Sequence, residues 1–150
     1  MQLTQYTDYS FRVLLYLAER PGSLTTVSEI AEFHGISRNH LIKVIHNLSI
    51  QNFISTRRGR NGGMMLSRPP EEINLGDVVR KTEPNFYIVE CFNTQNNGCR
   101  VTANCALKSV FFQAQQAFLQ VMDNHLLSDA LKPKKPGVQF ISMPVSTKKT

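Results

Sequence analysis

Apolar positions in the first half of the chain recur at helical spacing, broken twice by turn residues. Residues 4–20 place Phe11, Leu14, Leu15 and Ala18 on one face of a helix, and Pro21-Gly22 ends it. Thr26 and Glu29 have the spacing of a capping box, which starts a short helix through Ile30 and Ala31 that stops near Gly35. Ser37 is the expected N-cap of a third helix running to about Asn52. Its buried stripe is Leu41, Val44, Ile45 and Leu48. Two helices joined by a turn at His34-Gly35-Ile36 form a helix-turn-helix.

The period then changes. Ile54–Arg57 and Met64–Ser67 read as short strands, and Asn61-Gly62-Gly63 supplies residues that tolerate positive φ between them. A hairpin directly after a helix-turn-helix is a wing. Ile73 to Thr82 reads as another short helix, and residues 83–104 lack any period. A loop of that length needs a function or a ligand to order it. From about Asn104 to Leu127 a long helix returns. Leu107, Phe111, Ala114, Phe118, Val121 and His125 alternate at spacings of four and three, the a/d seam of helix pairing. In so small a chain this seam predicts a homodimer.

The expected fold is therefore mainly α with a small β-hairpin wing: a winged helix-turn-helix plus a long dimerisation helix. The expected division is a DNA-binding domain over residues 1–82, a loop over 83–104, a dimerisation helix over 105–130 and a flexible basic tail over 131–150. The opening MQLTQYTDYSFRVLLYLAER does not read as a secretory signal, and no apolar run suits a membrane span. A cytoplasmic protein that meets no membrane is expected.

Charge sharpens the picture. The net charge is +6, but residues 37–68 hold six basic residues and no acid, and residues 132–150 hold five lysines and no acid. The first block sits in foldable sequence and is a candidate surface for double-stranded DNA. On the third helix Ser37, Arg38, Asn39, His40 and Lys43 lie off the apolar stripe, and their chemistry suits base edges and phosphates. In the wing, Arg57, Arg58 and Arg60 can reach phosphates or the minor groove.

Three cysteines, Cys91, Cys99 and Cys105, are the only ones in the chain and fall in the polar loop. An odd count cannot close into disulfides within one chain. Three thiolates in a loop suit a metal or an iron–sulfur cluster with a fourth ligand from elsewhere. Thr102 or Asn104 is expected to cap the long helix, which puts Cys105 near its first turn, where a thiolate is favoured. A structural zinc site, or a thiol redox protein, is the alternative from another class. No Cys-x-x-Cys pair or nucleotide loop supports an enzyme, and no catalytic residue is assigned.

Four segments resemble the Rrf-type winged-helix regulators: LTQYTDYSFRVLLYLA, ISRNHLIKVIHNLS, RRGRNGGMMLSRP and INLGDVVRKTEP. The resemblance covers about residues 1–130. The SRNHLIKVIHNL segment resembles the nitric-oxide-sensing repressors of that family more than its regulators of cluster supply or oxygen, which stand as the second reading. The resemblance implies a homodimeric repressor with one iron–sulfur cluster per subunit, 4Fe-4S or 2Fe-2S. The implied ligands are Cys91, Cys99, Cys105 and Asp8 of the partner subunit, the last matched at Thr7-Asp8-Tyr9. It further implies that nitric oxide acts on the cluster and releases DNA.

Overall fold

The computed structural model describes residues 2–131. The lysine tail expected to be flexible lies outside them from residue 132 onward. Among the described residues six α-helices and one hairpin follow in chain order: α1 (Gln5–Ala18), α2 (Val27–His34), α3 (Arg38–Ile50), β1 (Ile54–Arg57), β2 (Gly63–Leu66), α4 (Leu75–Thr82), α5 (Ala106–Asp123) and α6 (Leu127–Leu131). The mainly helical class with a two-stranded antiparallel wing is as expected.

Helix α1 starts where Thr4 turns its hydroxyl back to accept the Thr7 N–H. Its buried face is Val13, Leu14, Leu17 and Ala18, so the face is rotated slightly from the expected one and Phe11 and Leu15 pack at its margins. The capping box of α2 forms in full, with Thr26 N–H donating to Glu29 at 2.5 Å and Glu29 N–H donating to Thr26 Oγ1. Gly35 closes α2 in the left-handed conformation at φ 63°. The following residue, Ile36, drops into the core. Leu41, Val44, Ile45 and Leu48 of α3 are buried as the pattern demands. Each such aliphatic side chain contributes about 1.5–3 kcal/mol relative to exposure. Ser37 occupies the N-cap position of α3 without making a side-chain cap bond.

In the wing, Ile54 pairs with Leu66 and Arg57 with Gly63. Thr25 adds a bridge to Met64, which ties the wing to the start of α2. The second strand begins one residue before the expected Met64 and ends at Leu66. The positive φ of the connection falls at Gly59 (112°), not at Asn61-Gly62-Gly63. Gly62 serves close approach instead: a Cβ there would lie 2.3 Å from the Arg57 carbonyl oxygen.

Two boundaries of the long helix differ from expectation. Thr102 and Asn104 do not cap it; they form a separate 3-10 turn, and Cys105 is the N-cap of α5, with no side-chain cap bond. The helix also ends at Asp123, so His125 is not part of the seam. The reason is a competing pairing. Leu75 N–H donates to His125 O and Leu127 N–H to Ile73 O, and Leu127 is fully buried in the core. Burying Leu127 turns the chain into α6, which packs on α1.

Candidate nucleic-acid interface and thiol loop

The polar face of α3 is open to solvent along its first turns: Ser37, Arg38, Asn39, His40 and Lys43 are all exposed. Arg57, Arg58 and Arg60 are exposed on the wing. Among the described residues none of these eight side chains enters an ion pair. Cations left without acidic partners are available to phosphate. The face is held from below by α1. Tyr6 donates its hydroxyl to Lys43 O at 3.1 Å, and the Tyr9 ring lies against the His40 ring with centroids 6.5 Å apart at 28°. Periodicity gave no sign of these contacts, because they join residues more than thirty positions apart.

The thiol loop is built differently. Cys91 is buried in a 3-10 turn over Glu90–Phe92, while Cys99 and Cys105 are half-buried, and all three are free thiols. The seven residues between the first two cysteines are closed by Gly98 N–H donating to Glu90 Oε1 at 2.6 Å, one residue from each thiol. Asn97 Oδ1 accepts the Cys99 N–H, and Thr102 Oγ1 donates to Cys99 O at 2.8 Å. These short polar side chains, two and three residues from Cys99, order a loop that has no apolar core of its own.

Cys91 and Cys105 line one open cavity of ≈ 800 Å³ together with Phe86, Phe92, Lys108 and Phe112. Cys99 is not on that lining. Among the described residues no three His, Cys, Asp or Glu side chains come together closely enough to hold a metal ion. Asp8 lines a different cavity, with Arg12, His34 and Gly35, and pairs with Arg12 at 2.8 Å. Both partners of that pair are about half exposed, at 48% for Asp8 and 43% for Arg12. Such a pair is worth about 1 kcal/mol or less, so Asp8 is easily drawn to another cation. Beside it, His34 Nε2 is buried with no hydrogen-bond partner among the described residues. Burial first and the Arg12 charge second hold that imidazole below its usual pKa.

The matching family model, an iron-dependent transcriptional regulator named Rrf2, spans residues 3–133. The chain belongs to the Rrf2 family. It is similar to the HTH-type transcriptional regulator NsrR of Bacillus subtilis, at 49% identity over 95% of this chain and 99% of that one. The NsrR of Shouchella clausii is 49% identical over 86% of this chain and 87% of its own length. Among solved structures, a Listeria innocua chain has a TM-score of 0.74 at 25% identity, covering 94% of this chain and 95% of that one. The cysteine regulator CymR of B. subtilis has a TM-score of 0.70 at 22% identity over 87% of this chain and 95% of its own, which supports the fold.

This Rrf2 chain is thus a DNA-binding transcription regulator of the NsrR type and not an enzyme. Among its described residues no helix is long and apolar enough to cross a membrane. The thiols suit an iron-dependent family by donor chemistry: three soft donor groups in one loop, two of them on one cavity beside aromatic side chains.

Proposed function

We propose that the chain is a homodimeric, cytoplasmic repressor that senses nitric oxide through an iron–sulfur cluster held by Cys91, Cys99, Cys105 and Asp8 of the partner subunit. The observation that carries the reading is the pairing of two incomplete features in adjacent segments. Helix α5 runs for 18 residues with none buried, and its seam residues Leu107 and Val121 are more than half exposed. The thiol loop leads into that helix and supplies three ligands, one short of a four-ligand set. A second copy packed along α5 would cover the seam and bring its own α1 to the loop. Likeness to the NsrR proteins and the donor set support the same reading.

When bound, the cluster supplies iron that reacts with nitric oxide. The rest of the switch lies in the protein. Asp8 leaves Arg12 to reach across the dimer, and the three thiolates draw the loop in against α5. Asp8 is followed by Tyr9, whose ring contacts His40 on the DNA-facing side of α3, and Tyr6 holds the Lys43 carbonyl. Fixing Asp8 therefore fixes α1, and α1 fixes both recognition helices relative to each other. Two such helices must address half-sites about 34 Å apart, or a multiple. Release of the thiolates and Asp8 loosens that spacing, so DNA affinity falls with no change in the contact residues Ser37, Arg38, Asn39, His40, Lys43, Arg57, Arg58 and Arg60.

Anaerobic titration of the cluster-loaded protein with nitric oxide, followed by DNA binding and visible absorbance together, tests the reading. Loss of operator affinity in step with loss of the chromophore is expected; unchanged affinity after complete reaction would sink it. Asp8→Ala should alter the cluster spectrum while leaving the far-ultraviolet helix signal intact. An unaltered spectrum removes Asp8 from the ligand set.

A further inference from the structure

One exposed apolar side chain stands in the middle of the polar face of α3. Ile42 is 47% exposed, although every position of the helix's apolar stripe is buried. Helix geometry sets it directly over Arg38 and Asn39, four and three residues earlier, and under His46, four residues later. All three neighbours are exposed. An isolated surface isoleucine needs no explanation by itself. Here its neighbours matter: it sits within the first turns of the helix, the part that enters the major groove in helix-turn-helix proteins. Arg, Asn and Lys there can satisfy donors and acceptors. The remaining feature of the major-groove code is the thymine C5-methyl group, which is read by apolar contact. Burying it against Ile42 would remove two apolar surfaces from water at once.

We propose that Ile42 is a specificity-determining residue that reads a thymine methyl group in each half-site, between the bases addressed by Arg38 and Asn39. The inference rests on α3 being the DNA-reading helix. Ile50 offers an internal control. It is more exposed, at 67%, but lies eight residues further on. That is about 12 Å along the axis, at the end of α3 where Asn47 donates to Lys81 O of α4.

The test uses the full chain, purified anaerobically, and duplexes it selects from random-sequence DNA. Each thymine of the selected site is replaced in turn by uracil, which lacks only the methyl group, and affinity is measured for the native chain, Ile42→Ala and Ile50→Ala. At one thymine position the native chain and Ile50→Ala should lose about four-fold affinity per half-site, the effect of one methyl group. Replacement in both half-sites should lose about fifteen-fold. Ile42→Ala should bind thymine and uracil equally there while keeping its preferences elsewhere. A sequence-selective protein with no thymine whose methyl penalty disappears in Ile42→Ala overturns this inference and leaves the regulator reading standing. A protein that selects no duplex overturns both.

Discussion

Residues 5–82 and residues 83–123 are built on opposite terms. In the first region Val13, Leu14, Ile30, Leu41, Leu48, Phe53, Ile54, Ile73 and Val78 are all at most 2% exposed, and one core joins α1, α2, α3, α4 and the wing. In the second region Cys91 is the one buried side chain among those described. Leu107, Val110, Phe112 and Val121 of α5 are all more than half exposed. A closed core makes the first region a rigid reader of DNA. An open apolar helix next to a thiol loop leaves the second region without a core of its own, and in the proposed dimer a partner chain and a bound group would complete it. Moving parts are drawn from segments of low intrinsic stability, and in the proposed sensor those segments follow α4.

The sharpest test changes one apolar side chain in each region. Leu14→Ala opens a cavity at a fully buried site and should destabilise the chain by about 2–5 kcal/mol. Val121→Asp, at a site 57% exposed in the last turn of α5, should change the stability of a single chain by no more than about 1 kcal/mol. It should instead shift sedimentation equilibrium toward single chains. Denaturant unfolding and sedimentation on both variants check this. Equal destabilisation by both, with self-association intact, would erase the contrast between the regions.

The same contrast explains which features could be read from the sequence. The helix-turn-helix follows from local rules: Thr26 and Glu29 meet within one turn, and the stripe from Leu41 to Leu48 repeats at 3.6 residues. Tertiary pairing decided the rest. Helix α5 stops at Asp123 because Leu127 is held by Ile73, a partner far away in the chain. The wing takes its positive φ at Gly59, and Gly62 is needed where the Arg57 carbonyl crowds it. In the thiol loop, the positions of the cysteines were evident but the bond from Gly98 to Glu90 that closes their interval was not. The contact of Tyr9 with His40, the link from Asp8 to the DNA face, joins two helices whose separate periods say nothing about each other.

A smaller effect lies inside the rigid region. Thr26→Ala removes half of the capping box and should lower stability by about 1 kcal/mol. The box also carries a pH signature. The Thr26 backbone N–H first, and its hydroxyl contact second, hold the Glu29 carboxyl below its usual value of 4.5. A carboxyl depressed in the folded state contributes stability that is fully present above its unfolded pKa and lost as pH falls through the folded one. Glu29→Gln should keep most of the stability at pH 7 and show a shallower loss below about pH 4.5. Urea titrations at pH 7 and at several lower pH values separate the two, and identical acid slopes would dismiss the assignment. Because Glu29 is exposed, the effect should be well under 1 kcal/mol.

The smallest expected change in stability lies where the two regions meet, and there it should alter function more than folding. Arg80 of α4 holds Asp123, the last residue of α5, through two hydrogen bonds of 2.5 and 2.6 Å. Asn74 donates to the Asp123 carbonyl at 2.6 Å. Gly76 allows this approach: a Cβ there would lie 1.9 Å from Asp123 Oδ1 and 2.9 Å from Arg80 Nη1. Gly76→Ala must push the carboxylate aside and break an exposed ion pair, which contributes little to stability. Alanine is also the better helix former. The opposing effects are both small, so the unfolding midpoint should barely move. The angle between α4 and α5 should not be preserved, and α5 carries the seam on which the proposed dimer is built, so the partner's α1 would be displaced with it. Operator affinity should then fall while unfolding is unchanged, a result read by pairing DNA titrations with denaturation on one preparation. If affinity is kept, the spacing is set elsewhere, and α1 with its Tyr9 contact becomes the remaining connection between the dependent region and the rigid one.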